Sequence, residues 1–279
     1  MQKQSFNRCW TCNGMPVTLP HDAQITEKRG ADVGGSGHGY FPGGVYTYEK
    51  TFTAPAEWAD KTILLEFEGV CKNATVSLNG KELCFHAYGY TRFFVELKEL
   101  NIGGENTVTV VADNSKLPNS RWYSGSGIYR PVWLYVGPKE SIRPESVKLS
   151  TVSIDPAVVR VQSPIPVKVE LAGVCGEGTG FTLTIPDAKL WSAEEPHLYT
   201  AKITSAEDET VIPFGIRQIM VIEQAPPLVE RLQALSVPVE YHYYGDKEHV
   251  LGHVFHCNIR SADAQQCNTD ECNFFKRFL

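Results

Sequence analysis

The sequence lacks the features that would place it in a membrane or on a nucleic acid. No apolar stretch reaches the length of a membrane span, and residues 1–8 lack the apolar run of a signal peptide. Neither charge sign forms long runs, and the net charge is −6. Binding nucleic acid usually requires a basic face, so nucleic acid is not an expected partner. We expect a cytoplasmic protein that binds neither membranes nor nucleic acid.

Motifs for cofactors and metals are also missing. The glycine-rich stretch at residues 34–44 does not end in the Lys-Ser or Lys-Thr of a phosphate-binding loop, so no nucleotide cofactor is expected. Cys9 and Cys12 form a CxxC pair, but no second pair follows at zinc spacing. Three more cysteines lie near histidines at gaps that match no common metal motif, namely Cys257, Cys267 and Cys272. We predict reduced thiols and no metal site.

Short segments that alternate between apolar and polar residues are what the sequence has in abundance. They occur at residues 46–52, 62–68, 74–78, 93–97, 106–112 and 132–136, and Asn79-Gly80 follows the third of them. Period two with an Asn-Gly turn predicts antiparallel strands and a hairpin. Helical periodicity is almost absent here, so a β-sandwich is expected over residues 1–140.

A second series of short alternating segments follows a proline-rich connection. These lie at residues 147–150, 158–161, 166–171, 180–185 and 199–203, and they predict a small immunoglobulin-like sandwich over residues 141–221. Residues 222–279 show a different pattern, with a helix expected at 226–235, a strand at 237–244 and a closing helix at 263–279. We expect a mostly β protein with a short C-terminal α/β segment.

The loop at residues 120–130 has the composition of a sugar-binding rim. Its glycines and serines allow a tight backbone, while Trp122, Tyr123 and two arginines are large enough to project from it. Aromatic faces cover the C–H side of a pyranose, and arginine donors reach its hydroxyl groups. The alternative is that Trp122 and Tyr123 pack the loop onto its own sheet.

Six motifs in order resemble the N-terminal part of family 2 glycoside hydrolases, the group of β-galactosidases and β-glucuronidases. They are Leu-Pro-His-Asp at 19–22, Gly-Tyr-Phe-Pro-Gly-Gly at 39–44, Leu-Glu-Phe-Glu-Gly-Val at 65–70, Val-Ser-Leu-Asn-Gly-Lys at 76–81, Tyr-Gly-Tyr-Thr at 88–91 and Ser-Arg-Trp-Tyr-Ser-Gly-Ser-Gly-Ile-Tyr-Arg at 120–130. Residues 190–199 and 214–217 resemble the end of the family's second domain. The resemblance implies a jelly-roll domain followed by a shortened immunoglobulin-like sandwich.

The same resemblance implies which residues contact a sugar and which chemistry is missing. In this family a (β/α)₈ barrel follows the sandwich and carries both catalytic glutamates. The 58 residues after 221 cannot form eight βα units and contain no Asn-Glu pair, so no glycosidase catalytic residue is assigned. Arg121 and Trp122 are the implied sugar contacts, followed by His21 and Asp22. The alternative for His21 and Asp22 is a turn that the aspartate side chain stabilises.

The tail resembles a different class of enzyme. Residues 229–245 and the Gly-His-x-Phe sequence around His253 look like the end of an α/β-hydrolase esterase, whose last strand delivers a catalytic histidine. Such an enzyme also needs a Gly-x-Ser-x-Gly nucleophile elbow, and the sequence has none. His253 would therefore be an orphan base.

Three functions remain open from the sequence. The first is a carbohydrate-binding or structural fragment of a family 2 glycosidase, with weak affinity for a β-linked glycan and no independent enzymatic activity. The second is a glycosidase or esterase that is active only when a partner chain supplies the missing core, docked on an exposed barrel-facing surface. The third is a non-catalytic adhesion or assembly module.

Overall fold

The computed structural model of the protein describes residues 1–116, 122–217 and 262–275. The chain divides into two units, Met1–Gln218 and Ile219–Leu279. The first unit holds all of the described strands, and they fall into two groups, each around its own apolar cluster. The second unit contributes one described helix, α1 (Ala262–Phe275).

Ten strands form the first group. They are β1 (Gln2–Ser5), β2 (Trp10–Cys12), β3 (Met15–Val17), β4 (Val45–Thr53), β5 (Lys61–Phe67), β6 (Ala74–Leu78), β7 (Lys81–His86), β8 (Phe93–Glu96), β9 (Glu105–Asp113) and β10 (Val132–Pro138). One sheet has the order β1-β10-β5-β8, the other β3-β2-β4-β9-β6-β7, and neighbouring strands are antiparallel. The two sheets form a β-sandwich.

The alternation in the sequence places the core between these two sheets. Along β9 every second residue is buried, so Val108 and Val110 face inward while Thr107 and Thr109 face outward. Leu65 and Phe67 of the opposite sheet pack in the same cluster, as does Tyr48 of β4. The predicted mostly β fold with a sandwich at the N-terminus is confirmed.

Two Asn-Gly pairs form tight hairpins. Asn79 and Gly80 have φ of 51° and 81° between the paired residues Leu78 and Lys81, as the sequence predicts. Asn13 and Gly14 have φ of 48° and 80° between Cys12 and Met15. Strands β2 and β3 around the second pair have three residues each, too few for their alternation to predict them.

Five strands form the second group, β11 (Lys148–Ile154), β12 (Ala157–Leu171), β13 (Val174–Ile185), β14 (Tyr199–Thr204) and β15 (Glu209–Phe214). They make one continuous hydrogen-bonded sheet in the order β11-β12-β14-β15, with β13 on the other edge of β12. Val159 and Val161 from one half of β12 share a buried cluster with Val169 and Leu171 from the other half. The sheet therefore encloses its own core.

The prediction of separate strands at 158–161 and 166–171 is wrong, because both belong to β12. The first half of β12 pairs with β11 and the second half with β14, while β13 pairs along both. Between the halves the register with β13 moves from Gln162–Gly180 to Val167–Gly178, so four residues of β12 oppose one residue of β13. This irregularity divides β12 into two halves, so that one strand belongs to both layers of the second group, the layer with β11 and the layer with β14.

A buried carboxylate links the outer face of the first sandwich to the connection that follows it. Glu66 of β5 is 2% exposed, and its Oε2 accepts a hydrogen bond from the Tyr135 hydroxyl at 2.7 Å and lies 3.2 Å from Lys3 Nζ. Arg92 reaches Glu66 Oε1 at 3.5 Å and also pairs with Glu145 in the connection. The buried negative charge is thus compensated from two sides.

The second unit is described only by α1. Its bounds agree with the closing helix predicted at 263–279, apart from the last four residues, which lie outside the described part of the chain. The predicted helix at 226–235 and strand at 237–244 also lie outside the described residues. Within the described ranges, no helix combines the length and apolarity needed to cross a membrane.

Replacing Leu65 by alanine tests the core between the two sheets. Leu65 is fully buried, so Leu65→Ala should lower the free energy of unfolding by about 3 kcal/mol, through lost apolar contact and the cavity left behind. Val211→Ala, at a side chain that is 62% exposed, is the control and should change it by less than ~0.5 kcal/mol. Urea unfolding measures both variants, and equal effects would contradict this assignment of the core.

Candidate functional site

The loop between β9 and β10 is bound to the sandwich by a backbone bridge in its second half. Cys71 and Gly127 form an antiparallel bridge, with the Cys71 amide donating to the Gly127 carbonyl at 2.9 Å and the Gly127 amide donating back at 2.6 Å. Residues from Trp122 onward are described, whereas the predicted sugar contact Arg121 lies outside the described residues. We call residues 122–130 the rim loop.

Asp22 fixes the rim loop with both carboxylate oxygens. Its Oδ1 accepts hydrogen bonds from the amides of Ser126 at 2.9 Å and Gln24 at 3.0 Å, and its Oδ2 accepts one from the Tyr123 hydroxyl at 2.6 Å. Asp22 also caps a short 3₁₀ turn, Ala23–Thr26. The turn-stabilising role considered for Asp22 is thus present, and the same carboxylate organises the loop.

His21 anchors the neighbouring part of the loop. Its amide donates to the Ile128 carbonyl at 2.8 Å, and its Nδ1 lies 2.9 Å from the hydroxyl of Tyr48, a fully buried residue. Burial lowers the pKa of His21, and the nearby Asp22 charge offsets this only in part. His21 therefore favours the neutral form, which suits a structural hydrogen bond.

Two glycines and a buried asparagine complete the support. Asn114 donates from Nδ2 to the Gly125 carbonyl at 3.0 Å and to the Ser126 hydroxyl at 2.9 Å. Gly127 has φ of 97°, and a Cβ there would lie 2.0 Å from the Tyr48 hydroxyl. Side chains other than hydrogen do not fit at this point. The rim loop is consequently rigid in its second half.

Exposed aromatic rings lie on one side of the loop, and we call them the aromatic surface. It consists of Trp122, which is 60% exposed, Tyr88 at 61% and Tyr90 at 41%. Trp122 donates from Nε1 to the Tyr90 hydroxyl at 3.1 Å, and the Tyr90 ring meets the Tyr88 ring edge-on at 5.6 Å. Trp122 thus leaves most of its ring in solvent instead of packing the loop onto its sheet.

Tyr123, the residue after Trp122, makes a second aromatic contact, with Phe41. The Tyr123 ring is 5.1 Å from the Phe41 ring, and the Arg29 guanidinium lies 5.4 Å from the Phe41 centroid. Burial, together with the hydrogen bond to Asp22, raises the pKa of the Tyr123 hydroxyl well above its usual value. Tyr123 therefore stays a neutral donor to Asp22.

Of the four predicted contact residues, the structure brings together His21, Asp22 and Trp122 around one loop. His21 and Asp22 support it from below, and Trp122 projects from it. Sequence reasoning did not identify Tyr88, Tyr90 or Arg29 as part of this region. The Tyr-Gly-Tyr spacing at 88–90 was a usable signal, because two aromatic residues around a glycine outside a strand are rarely needed for a core.

The other candidate groups considered from the sequence are metal ligands, cysteine thiols and a histidine base. Within residues 1–116, 122–217 and 262–275, no group of three or more His, Cys, Asp or Glu residues is placed to hold a metal ion. Free thiols are found at Cys9, Cys12, Cys71, Cys84, Cys175 and Cys267. His253, the predicted orphan base, lies outside the described residues.

Comparison with protein families matches two successive parts of this chain. The model described as "Glycosyl hydrolases family 2, sugar binding domain" matches residues 39–138, and the model "Glycosyl hydrolases family 2" matches residues 140–217. The first match contains Trp122, Tyr88, Tyr90 and Phe41. The comparisons give no support to the esterase resemblance of the tail.

Curated relatives and solved structures agree with these matches. The chain is 33% identical to beta-galactosidase BoGH2A of Bacteroides ovatus over 72% of its own length and 28% of that protein. It is 32% identical to a beta-glucuronidase of Bacteroides fragilis over 58% of its length and 24% of that protein. A family 2 glycosyl hydrolase structure from Bacteroides cellulosilyticus aligns with a TM-score of 0.70 at 25% identity, covering 79% of this chain and 36% of the other. The chain spans about a quarter of the length of these curated relatives.

Gly127→Ala should destabilise the protein far more than Gly14→Ala. Both glycines have positive φ, but a Cβ at Gly127 meets the Tyr48 hydroxyl, whereas a Cβ at Gly14 meets no atom within 4 Å. We expect a loss of about 3 kcal/mol for Gly127→Ala and about 1 kcal/mol for Gly14→Ala. Thermal and urea unfolding would measure the difference, and similar losses would refute a close contact at Gly127.

The stability of the protein should fall as the pH drops through the normal pKa of histidine, about 6.5. Because the pKa of His21 is lower in the folded state, the unfolded chain binds a proton more readily, and acid shifts the equilibrium toward it. Urea unfolding at about pH 7.5 and about pH 5.5 should show a smaller difference in His21→Gln than in the unmodified protein. An unchanged difference would exclude His21 as a source of this pH dependence.

Proposed function

Because this chain belongs to glycosyl hydrolase family 2, we propose that it is a sugar-binding module whose rim loop forms one wall of a site for β-linked glycosides. The matched domain is the one described as sugar binding, and it contains the rim loop. The observation that carries the proposal is Trp122, which is exposed although its Nε1 is hydrogen-bonded to Tyr90. A ring held in this way presents an apolar face without having to be ordered on binding.

The support beneath Trp122 favours recognition over a purely structural role. Asp22 accepts hydrogen bonds from the Ser126 amide and the Tyr123 hydroxyl, and Asn114 donates to the Gly125 carbonyl. These bonds fix the loop before any ligand binds. Rigid aromatic residues in such a position bind with little loss of conformational entropy. Trp122, Tyr90 and Tyr88 offer the C–H faces of a pyranose a surface that alternates between apolar ring and polar edge.

We propose that these 279 residues bind sugar without cleaving it. Retaining glycoside hydrolysis needs two carboxyl groups about 5 Å apart, and in this family a barrel supplies them. A barrel docked against the rim loop would close the site and add the catalytic pair. The described residues supply only one wall of such a site, so free monosaccharides should bind weakly, with Kd on the order of millimolar.

The names of the relatives suggest the sugars to test. The relative from Bacteroides ovatus is named a beta-galactosidase, and the one from Bacteroides fragilis a beta-glucuronidase. Galactosides and glucuronides are therefore the proposed ligand classes. We propose no esterase activity for residues 222–279, because the sequence contains no nucleophile elbow to act with His253.

The domain limits proposed for this module are residues 1–140 and 141–221, followed by the segment 222–279. They lie close to the two family matches, which end at residues 138 and 217. Strand β10 ends at Pro138 and β11 begins at Lys148, so the proposed boundary falls in the connection between the two sandwiches.

Trp122→Ala should weaken glycoside binding by about tenfold, which corresponds to ~1.4 kcal/mol for the lost ring contact. Trp122→Phe should retain part of the affinity, because it keeps an apolar face. Phe85→Ala is the matched control, since Phe85 is 59% exposed on β7 and lies outside the rim loop and the aromatic surface. Ligand-observed NMR titration with methyl β-galactoside and methyl β-glucuronide measures the affinities. Unchanged binding in Trp122→Ala would refute the assigned wall.

A further inference from the structure

Lys50 is a lysine on the core side of its strand. Along β4, Tyr48, Lys50 and Phe52 lie on the same face, because successive side chains alternate between the two sides of a sheet. Tyr48 is fully buried and Phe52 packs against the core cluster, so Lys50 lies at the edge of an apolar environment. The residue is half-buried, and β4 thus brings an amine to the margin of the core.

The ammonium group of Lys50 is held by neutral groups. Its Nζ donates a hydrogen bond to the Arg8 carbonyl at 2.5 Å and lies 4.5 Å from the centre of the Phe6 ring. Among the residues that the structure describes, no carboxylate lies within ion-pair distance of Lys50. Burial removes part of the hydration of the charged form and lowers the pKa of Lys50. More of this amine is therefore neutral and nucleophilic at a given pH than in an ordinary lysine.

A thiol lies beside this amine. The carbonyl that accepts the hydrogen bond from Lys50 belongs to the peptide bond between Arg8 and Cys9, so Cys9 is the residue next to the bound carbonyl. The two side chains are close enough for charge on Cys9 to raise the pKa of Lys50, against the larger effect of burial. Cys9 is an exposed free thiol. A nucleophile that solvent reaches and a second, partly desolvated one therefore lie next to each other.

From this pair we propose that Lys50 is an acylation site for small acyl thioesters, with Cys9 capturing the acyl group first. The Cys9 thiolate attacks the thioester carbonyl and forms a new C–S bond, and the leaving thiolate takes up the proton that Cys9 has lost. The neutral Lys50 amine then attacks the same carbonyl carbon, so a C–N bond forms and the C–S bond to Cys9 breaks. The amine proton passes to the released Cys9 thiolate, and no oxidant or reductant is consumed.

The second step is favoured because both groups belong to one molecule, so the transfer has no cost of bringing two reactants together. The product is an amide, in which the nitrogen of Lys50 no longer carries a charge at the edge of the core. This modification site is independent of the proposed sugar site, because it uses no residue of the rim loop or the aromatic surface.

Incubation of the 279-residue protein with acetyl-coenzyme A tests the site, with peptide mass spectrometry measuring acetylation at each lysine. Lys50 should be acetylated at least about threefold faster than Lys61, an exposed lysine of β5. Cys9→Ser should slow the acetylation of Lys50 by about tenfold, because the capturing thiol is lost. Cys175→Ser is the matched control, since Cys175 is another exposed free thiol, and it should leave the rate at Lys50 unchanged.

Lys50→Arg tests the intermediate. This variant keeps the charge but lacks the acceptor amine, so the acetyl group should remain on Cys9 as a thioester that hydroxylamine removes. In the unmodified protein the acetyl group on Lys50 should resist hydroxylamine, because it is held by an amide bond. Equal acetylation of Lys50 and Lys61, an unchanged rate at Lys50 in Cys9→Ser, or the lack of a hydroxylamine-labile acetyl group in Lys50→Arg would each overturn the proposal.

Discussion

The hydrogen bonds of the Asp22 carboxylate connect two segments that are about a hundred residues apart in the sequence. One oxygen holds the Ser126 amide and the other holds the Tyr123 hydroxyl, so a single side chain fixes both the backbone of the rim loop and one of its aromatic residues. A carboxylate is suited to this task because it accepts several hydrogen bonds at once, and each is strengthened by its charge. The placement of Trp122, and hence the proposed sugar wall, follows from this contact.

The same constraint explains why glycines occupy the turn. A Cβ on Gly125 would lie 3.0 Å from the Asp22 carboxylate, and one on Gly127 would overlap the Tyr48 hydroxyl. The loop backbone is thus pressed against its support at these glycines, whereas Trp122 at the start of the loop is 60% exposed. The same packing therefore makes the loop backbone rigid and leaves Trp122 exposed, and both features favour ligand binding at low entropic cost.

The sequence predicted the first sandwich well, because β4, β5 and β9 are long enough for period-two alternation to be visible. It did not predict the length of β13, where Gly176, Gly178 and Gly180 interrupt the β-branched pattern. The structure explains the first of these glycines, because the Phe181 ring covers Gly176 and leaves no room for a side chain. Strand propensity alone cannot show that a ring from the same strand fills such a gap.

The candidate site was predictable only in part, because local sequence patterns identify single residues but not the tertiary contacts between them. Trp122 stood out by composition, and Asp22 by its place before a turn, but their connection through Tyr123 depends on tertiary folding. The contacts of Arg29 were not predictable, because an isolated arginine in a loop has no pattern in the sequence. Only the Gly39 carbonyl and the Phe41 ring, which the fold brings to it, distinguish this arginine from other surface arginines.

The long strand β12 has a consequence for how the second sandwich responds to stress. Because β11 is paired to one half of β12 and β14 to the other, both parts of the sheet depend on the same strand. Unfolding of the strands on one side of β12 would disturb the pairing of β12 with the strands on the other side. The two parts of the sheet are therefore expected to unfold together. The five strands therefore form a single cooperative unit, in which slow amide exchange would extend across both layers together and a local break would spread through the whole sheet.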